Sequence, residues 1–418
     1  MMYLGIDFGT SGARAVLVDA KHSVHATAST PLAQPIDPQA WQAALFDLLA
    51  QIPNVLRRQI QAIAINGTSS TVLLCDAAGT PIVEPLLYSD ARGAAVLEAV
   101  RAIAPSNHTV VSATSSLAKL LWWLRSPELS ISAASPPYFL HQADWLAFLL
   151  HGKLGVTDYH NALKLGYDVA ALCYPDWMPS LPVQLPQVVA PGTPIAPVKP
   201  ELGDRFGFPP ACQVCAGTTD SIAAFLASGA QAPGEAVTSL GSTLVLKLLS
   251  ETRVDDARYG IYSHRYGDLW LVGGASNTGG AVLRQFFTEA ELQTLSAQIP
   301  IDRPSGLDYY PLLQPGDRFP INDPHLLPRL EPRPDRAIDF LHGLLEGIAR
   351  IEAQGYQLLV ELGATPLQCV YTAGGGAKNQ PWMQMRSRWL QVPVTRANQT
   401  EAAYGTALLA LRSGAAPA

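Results

Sequence analysis

The sequence predicts an α/β protein built from two similar domains that face one cleft. Three observations lead there. The chain has 418 residues, an apolar N-terminal segment runs into the turn Gly5-Ile6-Asp7-Phe8-Gly9-Thr10-Ser11-Gly12-Ala13-Arg14, and a comparable turn returns far downstream as Ser239-Leu240-Gly241-Ser242-Thr243-Leu244. A chain this long exceeds the size at which a single core keeps growing, and its 48% hydrophobic residues are enough for large packed cores.

The first element is a β-hairpin. Met2, Leu4 and Ile6 alternate with Tyr3 and Gly5 as in an extended strand, and residues 14–18 form a second short apolar run. Gly9 and Gly12 admit backbone conformations that most residues avoid, so main-chain N–H groups beside Thr10 and Ser11 can approach an anion. Asp7 points a carboxylate toward the same space. A carboxylate repels phosphate, so its natural task there is to hold a Mg²⁺ ion that bridges phosphate oxygens. An ordinary glycine hairpin that ends a buried strand is the alternative.

Further along, His141-Gln142-Ala143-Asp144 opens a helix, where a cap explains it better than a ligand role. Residues 174–210 are crowded with proline and should form an extended, ordered surface segment. Asp220 follows an apolar strand and precedes Ser221-Ile222-Ala223-Ala224-Phe225-Leu226, the position of a helix N-cap. Ile338, Leu341, Leu345, Ile348, Glu352, Leu358, Leu359 and Leu362 keep a long, mostly helical apolar period. Next, the strand Gln368-Cys369-Val370-Tyr371-Thr372-Ala373 runs into Gly374-Gly375-Gly376-Ala377-Lys378-Asn379, with Pro381 placed for the first turn of a helix. Backbone can approach a flat or charged ligand closely at the triplet, although the spacing is not that of a Walker loop. Residues 401–412 form the last helix.

Composition excludes several functions. Lys and Arg total 28 against 34 Asp and Glu, a net charge of −6, with no basic block for nucleic acid. No apolar run approaches the roughly 20 residues that cross a bilayer, so no membrane partner is expected. Cys75, Cys173, Cys212, Cys215 and Cys369 are odd in number and scattered, which points to a reducing compartment and a cytoplasmic location, although a removed transit peptide would leave no trace. Cys212 and Cys215 have C-x-x-C spacing on a strand, where residues three apart face opposite sides, and read as buried, inert thiols. His108, His160 and His342 show no metal spacing.

More segments complete a series in a fixed order: Leu86-Leu87-Tyr88-Ser89-Asp90-Ala91-Arg92, Ser116-x-x-Lys119-Leu120-x-Trp122, Thr157-Asp158-Tyr159, Ala216-Gly217-Thr218-Thr219-Asp220 and Leu345-Glu346-Gly347-Ile348-Ala349. With the two hairpins and the glycine triplet, the chain resembles the FGGY family of carbohydrate kinases end to end. The resemblance implies two actin-like (ribonuclease H-like) ATPase domains flanking a central cleft. Residues 1–227 would be the sugar side, with 401–418 packing back on it, and 228–400 the nucleotide side.

The resemblance also implies roles. Asp220 would be the general base for the sugar hydroxyl, a role compatible with a helix N-terminus, which keeps a carboxylate ionised. Asp7 and Asp220 would hold Mg²⁺. Gly9, Thr10 and Ser11 would face the transferred phosphoryl group, and Gly241, Ser242 and Thr243 the nucleotide phosphates of ATP. Adenine and ribose would lie against Gly375 and Gly376, with Asn379 and Trp382 bonding to or packing against the base; for Trp382, a place in the core is the alternative. Ser69 and Ser70, with Asp7 and Asp220, would face the sugar, and a serine-rich loop without substrate contact is the alternative there. Xylulose kinases carry Met-His and glycerol kinases Arg-Glu where this chain has Ser69-Ser70. The activity implied is ATP-dependent phosphorylation of a pentulose, D-ribulose to D-ribulose 5-phosphate ahead of D-xylulose. A non-catalytic actin-like nucleotide-binding module is the reading from another class, and the oligomeric state stays open between monomer and homodimer.

Overall fold

The structure is a computed structural model that describes residues 1–413 except 128, 130 and 133. Of the stretch 401–418 expected to pack back, residues 414–418 therefore lie outside the described residues. The chain divides into two compact units, one of Met1–Ala227 with the chain from Glu401 onward, the other of Ser228–Thr400.

In the first unit the strands are β1 (Met2–Phe8), β2 (Gly12–Asp19), β3 (Val24–Pro31), β4 (Ile60–Gly67), β5 (Val72–Cys75), β6 (Tyr138–His141), β7 (Val156–Asp158), β8 (Gln187–Val189), β9 (Pro194–Pro197) and β10 (Gln213–Thr219). Six of them form one sheet in the order β3-β2-β1-β4-β10-β9. β1, β2 and β3 make an antiparallel meander, and β4 and β10 then add in parallel. The second unit has β11 (Glu235–Leu240), β12 (Leu244–Ser250), β13 (His264–Tyr266), β14 (Leu269–Ser276), β15 (Cys369–Ala373) and β16 (Val394–Arg396). Its sheet runs β13-β14-β12-β11-β15-β16, again an antiparallel meander followed by two parallel strands. The two units thus share one strand plan, and the two glycine-hydroxyl turns occupy the same place in it, between the first and second strands.

The alternation in residues 2–6 suggests a strand with one polar face, yet Tyr3 and Gly5 are as buried as Leu4 and Ile6. The reason is the last helix, Ala402–Arg412, which covers the other face of β1. Its approach is so close that a Cβ on Gly5 would stand 2.1 Å from both the Ala403 carbonyl and the Ala407 amide. Gly405 meets the helix Asp220–Ser228 as closely, with only 1.8 Å from a Cβ to the Ala223 carbonyl. The opposite face of the sheet packs Ile6, Phe8, Ile63 and Ile65 with Trp41, Leu45, Trp145 and Leu146 of two helices.

The proline-rich segment is not extended throughout. β8 and β9 come from it, but Pro200 opens a helix, Pro200–Phe206. At a helix start the ring's fixed φ suits the turn, and the missing N–H has no partner to lose.

The core of the second unit is organised by the helix Ala337–Glu361, which carries Leu341, Leu344, Leu345 and Ile348 into it. A buried ion pair joins this helix to the next one, Gln380–Leu390: Arg386 Nε and Nη2 each lie 2.6 Å from a carboxylate oxygen of Glu352, and neither side chain is exposed. The pair is bonded to both neighbouring strands. Arg386 Nη1 donates to Thr372 Oγ1 of β15, and Thr238 Oγ1 of β11 donates to Glu352 Oε1. Buried charges are tolerated when geometry and further hydrogen bonds satisfy them. Here they link the two strands that lead into residues 241–243 and 374–376.

Candidate active site and nucleotide loops

Sheet register brings the first unit's candidate residues to one edge. Asp7 stands opposite Asn66 across the parallel pair β1 and β4, Phe8 opposite Gly67, and Gly67 opposite Thr219 across β4 and β10. Asp7, the loop 67–71 and Asp220, which opens its helix directly after Thr219, therefore leave three adjacent strands at the same end. This is the place where open α/β sheets bind ligands, because side chains and loops converge there without disturbing the ladder.

The electrostatics of Asp7 reflect this convergence. Burial pushes its carboxyl up to about 6, and the negative charge of Asp220 adds to the rise. Arg14 pulls it down, Glu401 pushes it up, and a hydrogen bond from Asn66 lowers it. Asp220 is partly buried and accepts a hydrogen bond from the Ser221 N–H at 2.7 Å, consistent with a carboxylate at a helix start. Around the pair are buried polar atoms with no hydrogen-bond partner among the described residues: Asn66 Oδ1 and Thr219 Oγ1, both on fully buried residues. Buried polar atoms are rarely left unsatisfied, and at a site they mark where water, an ion or a ligand completes the bonding.

Thr10 and Ser11 are exposed at the tip of the hairpin, which is closed by a bond from Gly9 N–H to the Gly12 carbonyl at 3.0 Å. Neither Gly9 nor Gly12 adopts a positive φ; Gly12 is needed because a Cβ would stand 2.9 Å from the Thr30 carbonyl of β3. In the loop 67–71, Ser69 is partly buried, whereas Ser70 is 2% exposed with φ 63° and a hydroxyl that has no partner among the described residues.

The second unit repeats the hairpin, with Ser242 and Thr243 exposed and the Gly241 N–H bonded to the Thr243 carbonyl at 3.2 Å. Behind it lies a feature absent from the sequence analysis. The turn after β14 delivers the Gly280 N–H to the Gly241 carbonyl at 2.9 Å, and Arg284 Nη2 donates to Ser242 Oγ at 2.9 Å. The diglycine Gly279-Gly280 at a strand end was the available signal. Asp317 steadies the same turn by accepting from Ser276 Oγ, Tyr310 OH and the backbone N–H groups of Asn277 and Arg318.

Each glycine of the triplet has its own reason. Gly374 has φ 82° and lies against the Leu240 carbonyl, while Gly376 is pressed on Leu240 and on the Trp382 ring beneath it. Gly375 is exposed with nothing within 4 Å of a Cβ. Trp382 is 2% exposed and donates its indole N–H to the Leu345 carbonyl at 3.0 Å. Its one donor is therefore spent inside the core and the ring lies against Gly376, the place in the core that stood as the alternative for this residue. Asn379 caps the helix through Oδ1 to the Trp382 N–H and donates from Nδ2 to Ser296 Oγ. The contrast between Gly375 and Gly376 yields a test. Gly375→Val should leave the melting temperature unchanged and raise the KM for nucleotide about tenfold, whereas valine at 376 must displace core atoms; a Gly375→Val protein with unaltered nucleotide KM moves the nucleotide elsewhere.

Other candidates have structural roles. His141 and Asp144 form the helix cap, with Asp144 Oδ2 accepting from the His141 N–H at 2.9 Å. His160 is buried and bonds Thr218 Oγ1 at 2.7 Å. Burial raises the Cys212 thiol to about 12 and the Cys215 thiol to about 11, so neither is an activated thiolate. Among the described residues no group of three or more His, Cys, Asp or Glu could hold a metal, and no helix is long and apolar enough to cross a membrane.

Known proteins provide an independent comparison. Models of the FGGY family of carbohydrate kinases match residues 2–227 (N-terminal domain) and 236–414 (C-terminal domain). A xylulose kinase from Bacillus subtilis is 26% identical over 447 aligned positions, covering 97% of this chain and 87% of its own. A xylulose kinase from Rhodospirillum rubrum superposes with a TM-score of 0.84 at 24% identity, covering 99% of this chain and 90% of that one. A Plasmodium falciparum glycerol kinase solved with ADP gives 0.80 at 18% identity, covering 99% and 89%.

Proposed function

Because the chain belongs to the FGGY family of carbohydrate kinases, with the two actin-like domains of that fold, we propose that it transfers the γ-phosphoryl group of ATP to a neutral pentulose, D-ribulose ahead of D-xylulose. The observation that carries the catalytic part is the convergence of Asp7 and Asp220 at one sheet end, close enough for one carboxylate to raise the pKa of the other. Two carboxylates held together in a partly buried place need a counter-charge. They suit Mg²⁺, which is content with one or two protein carboxylates and takes its other ligands from water and phosphate, and which when bound would neutralise charge on the phosphate oxygens.

In this proposal Asp220 accepts the proton of the attacking sugar hydroxyl. That oxygen bonds to the γ-phosphorus, the bond from the γ-phosphorus to the bridging oxygen breaks, and ADP leaves with the electron pair. Asp7 keeps its charge near the transferred group, and the exposed turns at residues 10–11 and 242–243 offer hydroxyls and N–H groups to phosphate oxygens. Residues 375 and 379 receive the nucleoside.

The acceptor follows from the loop 67–71. It presents hydroxyls and carries no cation that would pair with a sugar acid, so a neutral ketose fits it better than gluconate, the substrate implied by the names of some relatives. The precedence of D-ribulose rests on resemblance to the short, xylulose-kinase-like branch of the family, whose members look like ribulose kinases. The deciding experiment is ADP release from Mg²⁺-ATP with no sugar, D-ribulose, D-xylulose, L-ribulose, gluconate and glycerol. Strong stimulation by D-ribulose above the others is expected. Preference for D-xylulose would reassign the substrate, and a slow rate indifferent to every sugar would leave a nucleotide-binding module in its place.

A further inference from the structure

Lys119 is a buried lysine with no ion pair among the described residues. It lies on the helix Ser116–Arg125, its residue has no exposed surface, and among the described residues no carboxylate lies within ion-pair distance of its Nζ. Asp90, whose charge acts on it, is held by Arg92, whose guanidinium lies 2.8 Å from that carboxylate. Nζ instead donates to two backbone carbonyls, those of Ser70 at 2.7 Å and Leu87 at 2.6 Å. A methionine of similar length would fill the space without the cost of burying a charge, so the chemistry of the ammonium needs another explanation.

The loop it grips supplies one. Thr68 and Thr71 bond each other through their hydroxyls, Thr71 Oγ1 also accepts from the Tyr88 N–H at 3.0 Å, and the Thr71 carbonyl accepts from the Gln142 N–H at 2.9 Å. Every buried hydroxyl of the loop is thereby committed except that of Ser70, which also holds the left-handed backbone that side chains rarely adopt. We propose that Lys119 is the positioning residue of the sugar loop: by tying the Ser70 and Leu87 carbonyls together, it fixes the left-handed turn at Ser70 and with it the shape that residues 67–71 offer to the acceptor. This rests on the assignment of residues 69–70 to the sugar.

The groups that act on Lys119 make the device sensitive to pH. Burial pulls its pKa down to about 7; Asp90 opposes this, while Lys164 and Arg92 reinforce it. Hydrogen bonds from the charged ammonium are stronger than those from the neutral amine, so the loop is held most firmly below that pH. Lys119→Met should raise the KM for D-ribulose about tenfold or more while the KM for ATP stays within about twofold. In the wild type the sugar KM should rise as pH is taken from about 6 to about 9, and in the variant it should stay flat. A sugar KM within about twofold of wild type in a variant that melts normally, or equal losses for sugar and ATP, overturns the positioning role. Should the variant fail to fold, the wild-type profile decides: a sugar KM flat across that range overturns it. Turnover with no sugar at all would instead remove the assignment of the loop on which the inference stands.

Discussion

Replacing Asp220 by asparagine is expected to lower kcat for sugar phosphorylation by roughly a thousandfold, with little change in the KM for ATP. The amide keeps the size of the side chain and its acceptor oxygen for the Ser221 N–H, so the start of the helix Asp220–Ser228 should survive. What it loses is the ability to take the hydroxyl proton in the proposed transfer. The same change removes the charge that helps to raise Asp7, whose pKa should fall from about 6 toward the value that burial alone sets. Steady-state kinetics with D-ribulose and titration of Asp7 by NMR measure both effects. Near-normal turnover would exclude Asp220 as the base, and an unmoved Asp7 would show that the two carboxylates do not share a field.

Asp7→Asn should abolish transfer and stabilise the protein. In the folded chain Asp7 binds its proton more tightly than the usual carboxylate, with a pKa of about 6 against 3.8. Ionising it at neutral pH therefore costs the native state, by roughly 2 kcal/mol after allowing for its partial exposure. The asparagine variant escapes that cost. Its unfolding transition should lie roughly 2–4 °C above wild type near pH 8. Because both states of the wild type carry the proton in acid, the advantage should shrink as pH falls through about 6 and vanish near 3.8. Activity of the wild type should fall over the same acidic limb as Asp7 takes up its proton. Differential scanning fluorimetry across pH, beside the rate profile, tests the prediction. Lower stability of Asp7→Asn at every pH would mean that the carboxylate is a structural partner and not a destabilised functional group.

Such a cost is what a site is expected to show, since groups arranged for chemistry are seldom arranged for stability. The structure shows where the compensation lies. Gly5 and Gly405 let the last helix pack against β1 and the helix Asp220–Ser228 at backbone contact, and the sheet beneath Asp7 is buried on both faces.

Much of this was legible in the chain itself. The strand periodicity of residues 2–6, the helical period from Ile338, and the turns at Gly9 and Gly241 are local signals, since they depend on neighbours a few positions away. So are the ordered motifs that mark the family. Short-range pattern left open what Gly12 and Gly374 make room for and whether Trp382 is core, because those depend on which backbone arrives from elsewhere: Thr30 above Gly12, Leu240 against Gly374, Leu345 at the indole.

The sequence by itself therefore determined the elements, the repeated hairpin and the family, all carried by short-range pattern. Tertiary structure alone decided that burial and the Asp220 charge raise Asp7, that Asn66 and Thr219 stand beside them unsatisfied among the described residues, and that Lys119 is spent on the carbonyls of Ser70 and Leu87. The physical reason is that burial and electrostatic fields are sums over groups close in space, and parallel strands bring together residues far apart in sequence, as β1 and β10 do on either side of β4.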